Sequence, residues 1–292
     1  AQTAIIRDAA DKWESMITDG GSPRTHPATR SIDGSTNPYA GNTIENLFIT
    51  CSASQLSPGV LGGAAITHVR SDESARDYYM PYYGYFKIST SFLPSLTTNI
   101  LPGSGSLIDG TPVAPKSELY YVALHEMGHN LGLASAIWNV SGKRDWVDDD
   151  YWYSLENGYI SVSAREDSNA VTRYNEIWGT SLSALPIEDN GGGGTIGSHH
   201  EEGPWSSVGS TDTRTSGGSA APAVTDELMT GLFNNDLFSP ASKITLGLLQ
   251  DIGYTVDYTK ADTYTPRNFE VINSGSGDWL IRPAHVDGTN AN

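Results

Sequence analysis

A mixed α/β (α+β) domain built as two lobes is the fold class this chain predicts, and three observations predict it. An amphipathic helical pattern opens the chain, short β-type runs follow between residues 42 and 90, and a second, strongly apolar helical pattern begins at Ser117. At 292 residues the chain can bury a sizeable core. The expected division is an N-terminal lobe over residues 1–134, with a mixed twisted sheet and two helices, and a C-terminal lobe over residues 135–292, the two forming one domain around a cleft.

Each element has its own signal. Ile5, Ile6, Ala9, Ala10, Trp13, Met16 and Ile17 recur at helical spacing, and Gly20-Gly21 is expected to end that helix as a glycine cap. Residues 44–51, 64–69 and 82–89, separated by Gly, Pro and Ser, read as strands of one sheet. Cys51, the only cysteine, lies in an apolar run and is expected to be a buried, inert thiol; alone it cannot form an internal disulfide. Ser117 offers an N-cap and Glu118 a favourable first-turn charge to a buried helix running through Tyr120, Val122, Ala123, Leu124 and Met127 to Leu131, with Gly132 as its stop.

Residues 138–183 show no clean periodicity, and residues 191–194 and 203–225 are rich in small and polar residues, as loops are. Ser239-Pro240 supplies a cap and first-turn proline to a last helix whose Ile244, Leu248, Leu249 and Ile252 share one face before Gly253.

Composition excludes several functions. With 34 acidic against 17 basic residues and a net charge of -17, the chain lacks the clustered Lys and Arg that nucleic acid or an anionic membrane requires. No run of 18 apolar residues exists, so no membrane span is expected. The absence of a signal-peptide layout and the frequent Gly, Ser, Thr, Asn and Tyr lead us to expect the mature form of a secreted, extracellular, monomeric protein.

The chemistry-bearing string is His125-Glu126-Met127-Gly128-His129, which matches H-E-x-x-H. On a helix the two histidines lie one turn apart on one face, so both imidazoles reach one metal. Zinc suits imidazole, and a catalytic zinc keeps three protein ligands and a water whose pKa it lowers toward about 7. Glu126 is placed to take that water's proton and pass it to a leaving amine. Gly132 extends the string to H-E-x-x-H-x-x-G and lets the chain turn sharply out of the helix. In most metzincin proteases a third histidine follows three residues later, but Ser135 stands there and is a poor zinc ligand. A remote third ligand is therefore expected, with His26, His68, His199, His200 and His285 as candidates.

Downstream lie Ser198-His199-His200-Glu201, then Asp226-Glu227-Leu228-Met229-Thr230-Gly231, then the helix ending Gln250-Asp251-Ile252-Gly253-Tyr254. In this order the chain resembles the leishmanolysin-like family of metzincin zinc proteases, over about Leu119 to Tyr254. There a long insertion delays the third histidine to a Ser-His-Trp-Glu type segment before a Glu-Leu-Met turn. Asn175 with Ala170 and Tyr174, and residues 185–190 (LPIEDN), match in register as well.

The resemblance implies a secreted zinc metalloendopeptidase. Its zinc ligands would be His125, His129 and His199, its base Glu126, and its Met-turn residue Met229, which packs beneath the metal without binding it. His199 is preferred to His200 because neighbours in an extended segment point opposite ways. The resemblance also implies a protein or peptide substrate lying along an edge strand, for which residues 84–90 are the candidate, with Tyr82, Tyr83 and Tyr85 near a pocket. Three features depart from the family pattern: 30 residues separate His199 from Met229, the disulfide cysteines of protozoan members are missing, and Gly231 stands where some metzincins carry a tyrosine.

In a thermolysin-like scheme Glu176 of Asn175-Glu176 would be the third ligand, but that leaves Gly132 and the Glu-Leu-Met turn unexplained. A secreted adhesion module with a structural zinc is the alternative from another class, and it has no need of Glu126. Asp145, Asp148, Asp149 and Asp150 form a candidate calcium loop, with a solvated acidic loop as the equal alternative; Glu188 and Asp189 are also acidic candidates.

Overall fold

The computed structural model describes residues 1–26, 40–71, 77, 79–101, 106–134, 168–182, 185–187, 195, 198–200, 224, 226–231, 233 and 238–265, together with the main chain of the short strands at 155–156, 159–160, 215–216, 219–220, 269–273 and 279–283. The candidate calcium residues Asp145, Asp148, Asp149 and Asp150, as well as Ser135, Glu188, Asp189, Glu201 and His285, lie outside them.

Helix α1 (Gln2–Met16) buries Ala9, Trp13 and Met16, the stripe its periodicity marks. It ends without the glycine cap. Ile17 is already extended at φ -110° and ψ 118°, and Ile17–Asp19 pairs antiparallel with Thr255–Val256. The amide of Asp257 donates to the Met16 carbonyl at 2.8 Å, so a tertiary partner satisfies the helix end before Gly20 is reached.

Strands β1 (Phe48–Ser54), β2 (Gly62–Val69) and β3 (Pro81–Ser89) form one sheet in the order β1-β3-β2. β1 runs parallel to β3 and β2 antiparallel to it. Residues 84–90 therefore belong to the central strand and its exit, and the expectation that they form an open edge is corrected. The long β1–β3 connection and the β2–β3 hairpin place β3 between its partners, which the local pattern of one strand cannot reveal. The edges are β1 and β2. On β1 Cys51 is exposed, contrary to its expected burial, because the strand's outer edge is uncovered there. Tyr82 and Tyr83 are buried and pack with Ile44 and Phe48, while the rings of His26, His68 and Tyr83 meet tilted or edge-on in the same cluster.

Helix α2 (Leu93–Thr98) is short, and helix α3 (Glu118–Asn130) is the buried axis of the molecule. α3 packs against α1, β2 and β3. Because neighbours surround it, it is buried nearly all round and shows little amphipathic stripe. Trp13 locks α1 to it by donating from Nε1 to the Leu124 carbonyl at 2.9 Å. Ser117 occupies the N-cap position, but its hydroxyl makes no capping bond; the amide of Glu118 donates instead to the Asn99 carbonyl at 3.0 Å.

Helices α4 (Asn169–Trp178) and α5 (Lys243–Ile252) pack on each other in the C-terminal part. α5 starts three residues later than Ser239-Pro240 suggests, since Ser242 accepts from the Ile244 amide at 3.1 Å and is the actual cap. Asp251 near its end accepts from the amides of Asn169 and Ala170 and from the Ser168 hydroxyl, so one helix finishes the first turn of the other. Among the described residues no helix is long and apolar enough to cross a membrane.

Candidate metal centre

Helix α3 carries His125 and His129 on one face, and a segment 70 residues beyond His129 brings His199 to them. The three Nε2 atoms form a triangle with edges of 3.0, 3.2 and 3.2 Å. Every Nδ1 turns outward to a main-chain carbonyl: His125 to Leu228 at 2.6 Å, His129 to Leu133 at 2.5 Å, and His199 to Thr195 at 2.9 Å. A carbonyl only accepts, so each Nδ1 carries the ring proton and each Nε2 presents a lone pair. Three lone pairs held this close repel one another unless a cation joins them. Tetrahedral ligands at about 2.0–2.1 Å from zinc stand about 3.3 Å apart, near the spacing observed. Among the described residues these three are the one group of His, Cys, Asp or Glu side chains whose ligand atoms gather this way.

The local structure explains the convergence. Gly132, at φ +115°, makes the turn out of α3 that a Cβ would strain, and this turn aims the Leu133 carbonyl back at His129. Burial lowers the pKa of all three imidazoles, that of His129 well below its ordinary value and that of His199 to about 3. They are kept neutral, the form that binds metal.

Glu126 is buried beside them, 5% exposed, and its Oε2 has no hydrogen-bond partner. Burial pushes its carboxyl up to about 8. The first residue of β2, Gly62, faces this carboxylate so closely that a Cβ there would overlap Oε1. Nothing in the sequence pointed to Gly62, because the approach joins strand and helix 64 positions apart.

His200 turns the other way. Its Nε2 lies 3.1 Å from the Thr245 hydroxyl and 3.7 Å from Glu227, while its amide donates to the Met229 carbonyl at 2.9 Å. Met229 is buried, and its Sδ lies where a Cβ on Gly128 would come within 2.5 Å, so it packs under the two-histidine turn of α3. Glu176 is far from this chemistry in role: it pairs with Arg173 at 2.8 Å on an exposed face. In the sequence Glu227 stands out only as part of the Glu-Leu-Met turn. It is 1% exposed and accepts from the Met229 amide at 2.6 Å, the Ser242 amide at 2.9 Å and the Thr245 hydroxyl at 2.6 Å.

Among curated proteins no relative matches the chain. The family model described as Leishmanolysin matches residues 112–269, just over half of the 292 residues and the whole span from before α3 to beyond α5. With that match, the chain belongs to the leishmanolysin family of metallopeptidases.

Proposed function

We propose that the protein is a secreted zinc-dependent endopeptidase, with His125, His129 and His199 as metal ligands and Glu126 as general base. The observation that carries this reading is the triangle of Nε2 lone pairs, each imidazole fixed by a carbonyl behind it, next to a buried carboxylate oxygen that has no other partner. This donor set fits zinc: it is all imidazole, neutral and spaced for tetrahedral coordination, with one position left for water or substrate.

Zinc held by His125, His129 and His199 would supply a Lewis acid for a peptide carbonyl and for a water. Glu126 would act as general base, taking up a proton from a water and returning it to the departing amine nitrogen. The unpartnered Oε2 gives it the capacity to do so. Gly62 keeps the space against Oε1 open, which ties the carboxylate's position to β2. As an antiparallel edge strand beside α3, β2 rather than β3 offers main-chain groups to an extended peptide. Met229 serves as the Met-turn residue, supporting α3 from below through Gly128.

Casein hydrolysis by the wild type and by Glu126→Ala tests the reading. Loss of cleavage with zinc retained is expected; cleavage at the wild-type rate by the variant overturns it.

A further inference from the structure

We infer that Glu227 is a positioning residue for the metal centre, setting two of the three imidazoles from outside the ligand shell; the inference rests on the ligand set proposed above. Glu227 enters from Asp226, which takes the left-handed conformation at φ +59° and so bends the chain sharply into the buried interior. One carboxylate oxygen then receives the Met229 amide at 2.6 Å, and the other the Ser242 amide at 2.9 Å and the Thr245 hydroxyl at 2.6 Å. The Thr230 hydroxyl donates to the Glu227 carbonyl at 2.8 Å. The turn 227–230 is thus pinned to the first turn of α5 through a single side chain.

Two lines lead from that turn to the metal site. The Leu228 carbonyl accepts from His125 Nδ1 at 2.6 Å and so decides the rotation of that ring. The Met229 carbonyl accepts from the His200 amide at 2.9 Å and fixes the main chain next to His199. Leu228 is itself tied back, its amide donating to the Pro240 carbonyl at 2.9 Å. If the carboxylate is lost, the amides of Met229 and Ser242 lose their partner, and the turn shifts with both carbonyls. His129 is independent of this arrangement, since its partner is Leu133 on α3's own exit.

Asp251 provides the comparison. It is also a buried carboxylate, 6% exposed, that collects two main-chain amides, the Asn169 side-chain amide and a hydroxyl, but at the start of α4, with no carbonyl path to an imidazole among the described residues. Glu227→Gln, Thr245→Val and Asp251→Asn should be compared with the wild type by zinc affinity in graded chelator competition, by the visible spectrum of the cobalt-substituted protein, and by thermal unfolding without metal. Glu227→Gln is expected to weaken zinc binding on the order of 10- to 100-fold and to alter the cobalt spectrum, as loss of an outer partner of a metal ligand does. Thr245→Val, which removes one donor, should do the same to a smaller degree and decides the matter if Glu227→Gln does not fold. Asp251→Asn should lower the unfolding temperature while leaving zinc affinity and spectrum unchanged. Zinc affinity and cobalt spectrum unchanged in both Glu227→Gln and Thr245→Val, or weakened equally in Asp251→Asn, overturn the positioning role. A wild-type protein that binds no zinc would instead overturn the ligand set itself.

Discussion

Gly62 and Glu126, one on the edge strand and the other on the central helix, meet so closely that the glycine's missing side chain is the room in which the carboxylate sits. Gly62→Ala should therefore displace Glu126 without touching an imidazole. Turnover is expected to fall on the order of 10- to 100-fold, because small misplacements of a reacting group cost that much. Zinc content should stay stoichiometric; measuring kcat and bound zinc on one preparation checks this.

Glu126→Gln separates chemistry from stability. Proton transfer by a positioned carboxylate is worth about 10²–10⁴-fold, so turnover should fall by that range. In the metal-free protein the carboxyl rises from 4.5 to about 8 by burial, so its contribution is fully present below pH 4.5 and disappears as pH rises through 8. Above pH 8 metal-free Glu126→Gln should unfold at a higher temperature than metal-free wild type, and the gap should shrink toward acid pH. Unfolding scans across that range provide the check.

The imidazoles give the opposite slope. Burial lowers their pKa values from 6.5, His199 to about 3, so their contribution is complete above pH 6.5 and is lost as pH falls from there toward 3. Protons also compete with zinc for the same nitrogens. Zinc retained after dialysis at stepwise lower pH should drop below pH 6.5, together with the unfolding temperature.

His199→Ala and His200→Ala should differ in kind. The former is expected to lose its zinc, having given up one of three converging nitrogens. The latter keeps its amide bond to Met229 but loses the contact of Nε2 with Thr245, costing about 1–3 kcal/mol of stability with zinc retained. Metal analysis and denaturant unfolding of the two proteins settle the assignment of the neighbours.

Gly247→Ala tests the packing behind the site. A Cβ there would stand 2.7 Å from the Ala170 amide nitrogen and Cα, which are backbone atoms that cannot rotate away. Overpacking of this kind costs about 1–3 kcal/mol, read as a lower denaturation midpoint.

The parts legible in the sequence are those whose signal is local. Helix α3 announces itself through its apolar run and the His-Glu spacing, and Gly132 marks its exit because only a glycine takes that φ readily. Helix α4 was not legible. Its buried face is only Ala170, Val171 and Tyr174, set among polar neighbours, and its start is completed by Asp251 from 81 or 82 positions away. The end of α1 and the central place of β3 carry no local signal for the same reason: both depend on a partner strand, Thr255–Val256 in one case and β1 with β2 in the other. At the site, the family order led to His199, yet the carbonyls of Leu133, Thr195 and Leu228 that orient the rings carry no side-chain signature at all.

The distance along the chain between α3 and the turn at 227–230 also governs when a protease comes into being. A ribosome that has just released His129 has still to make about 100 residues before Met229 emerges, on the order of ten seconds of synthesis. For the first 70 residues of that interval the nascent chain holds two imidazoles without His199, and for nearly all of it the chain lacks the Leu228 carbonyl that rotates His125. On the proposed ligand set, hydrolytic competence thus waits for the turn at 227–230, and a product truncated within the interval would lack His199 or the carbonyl that sets His125.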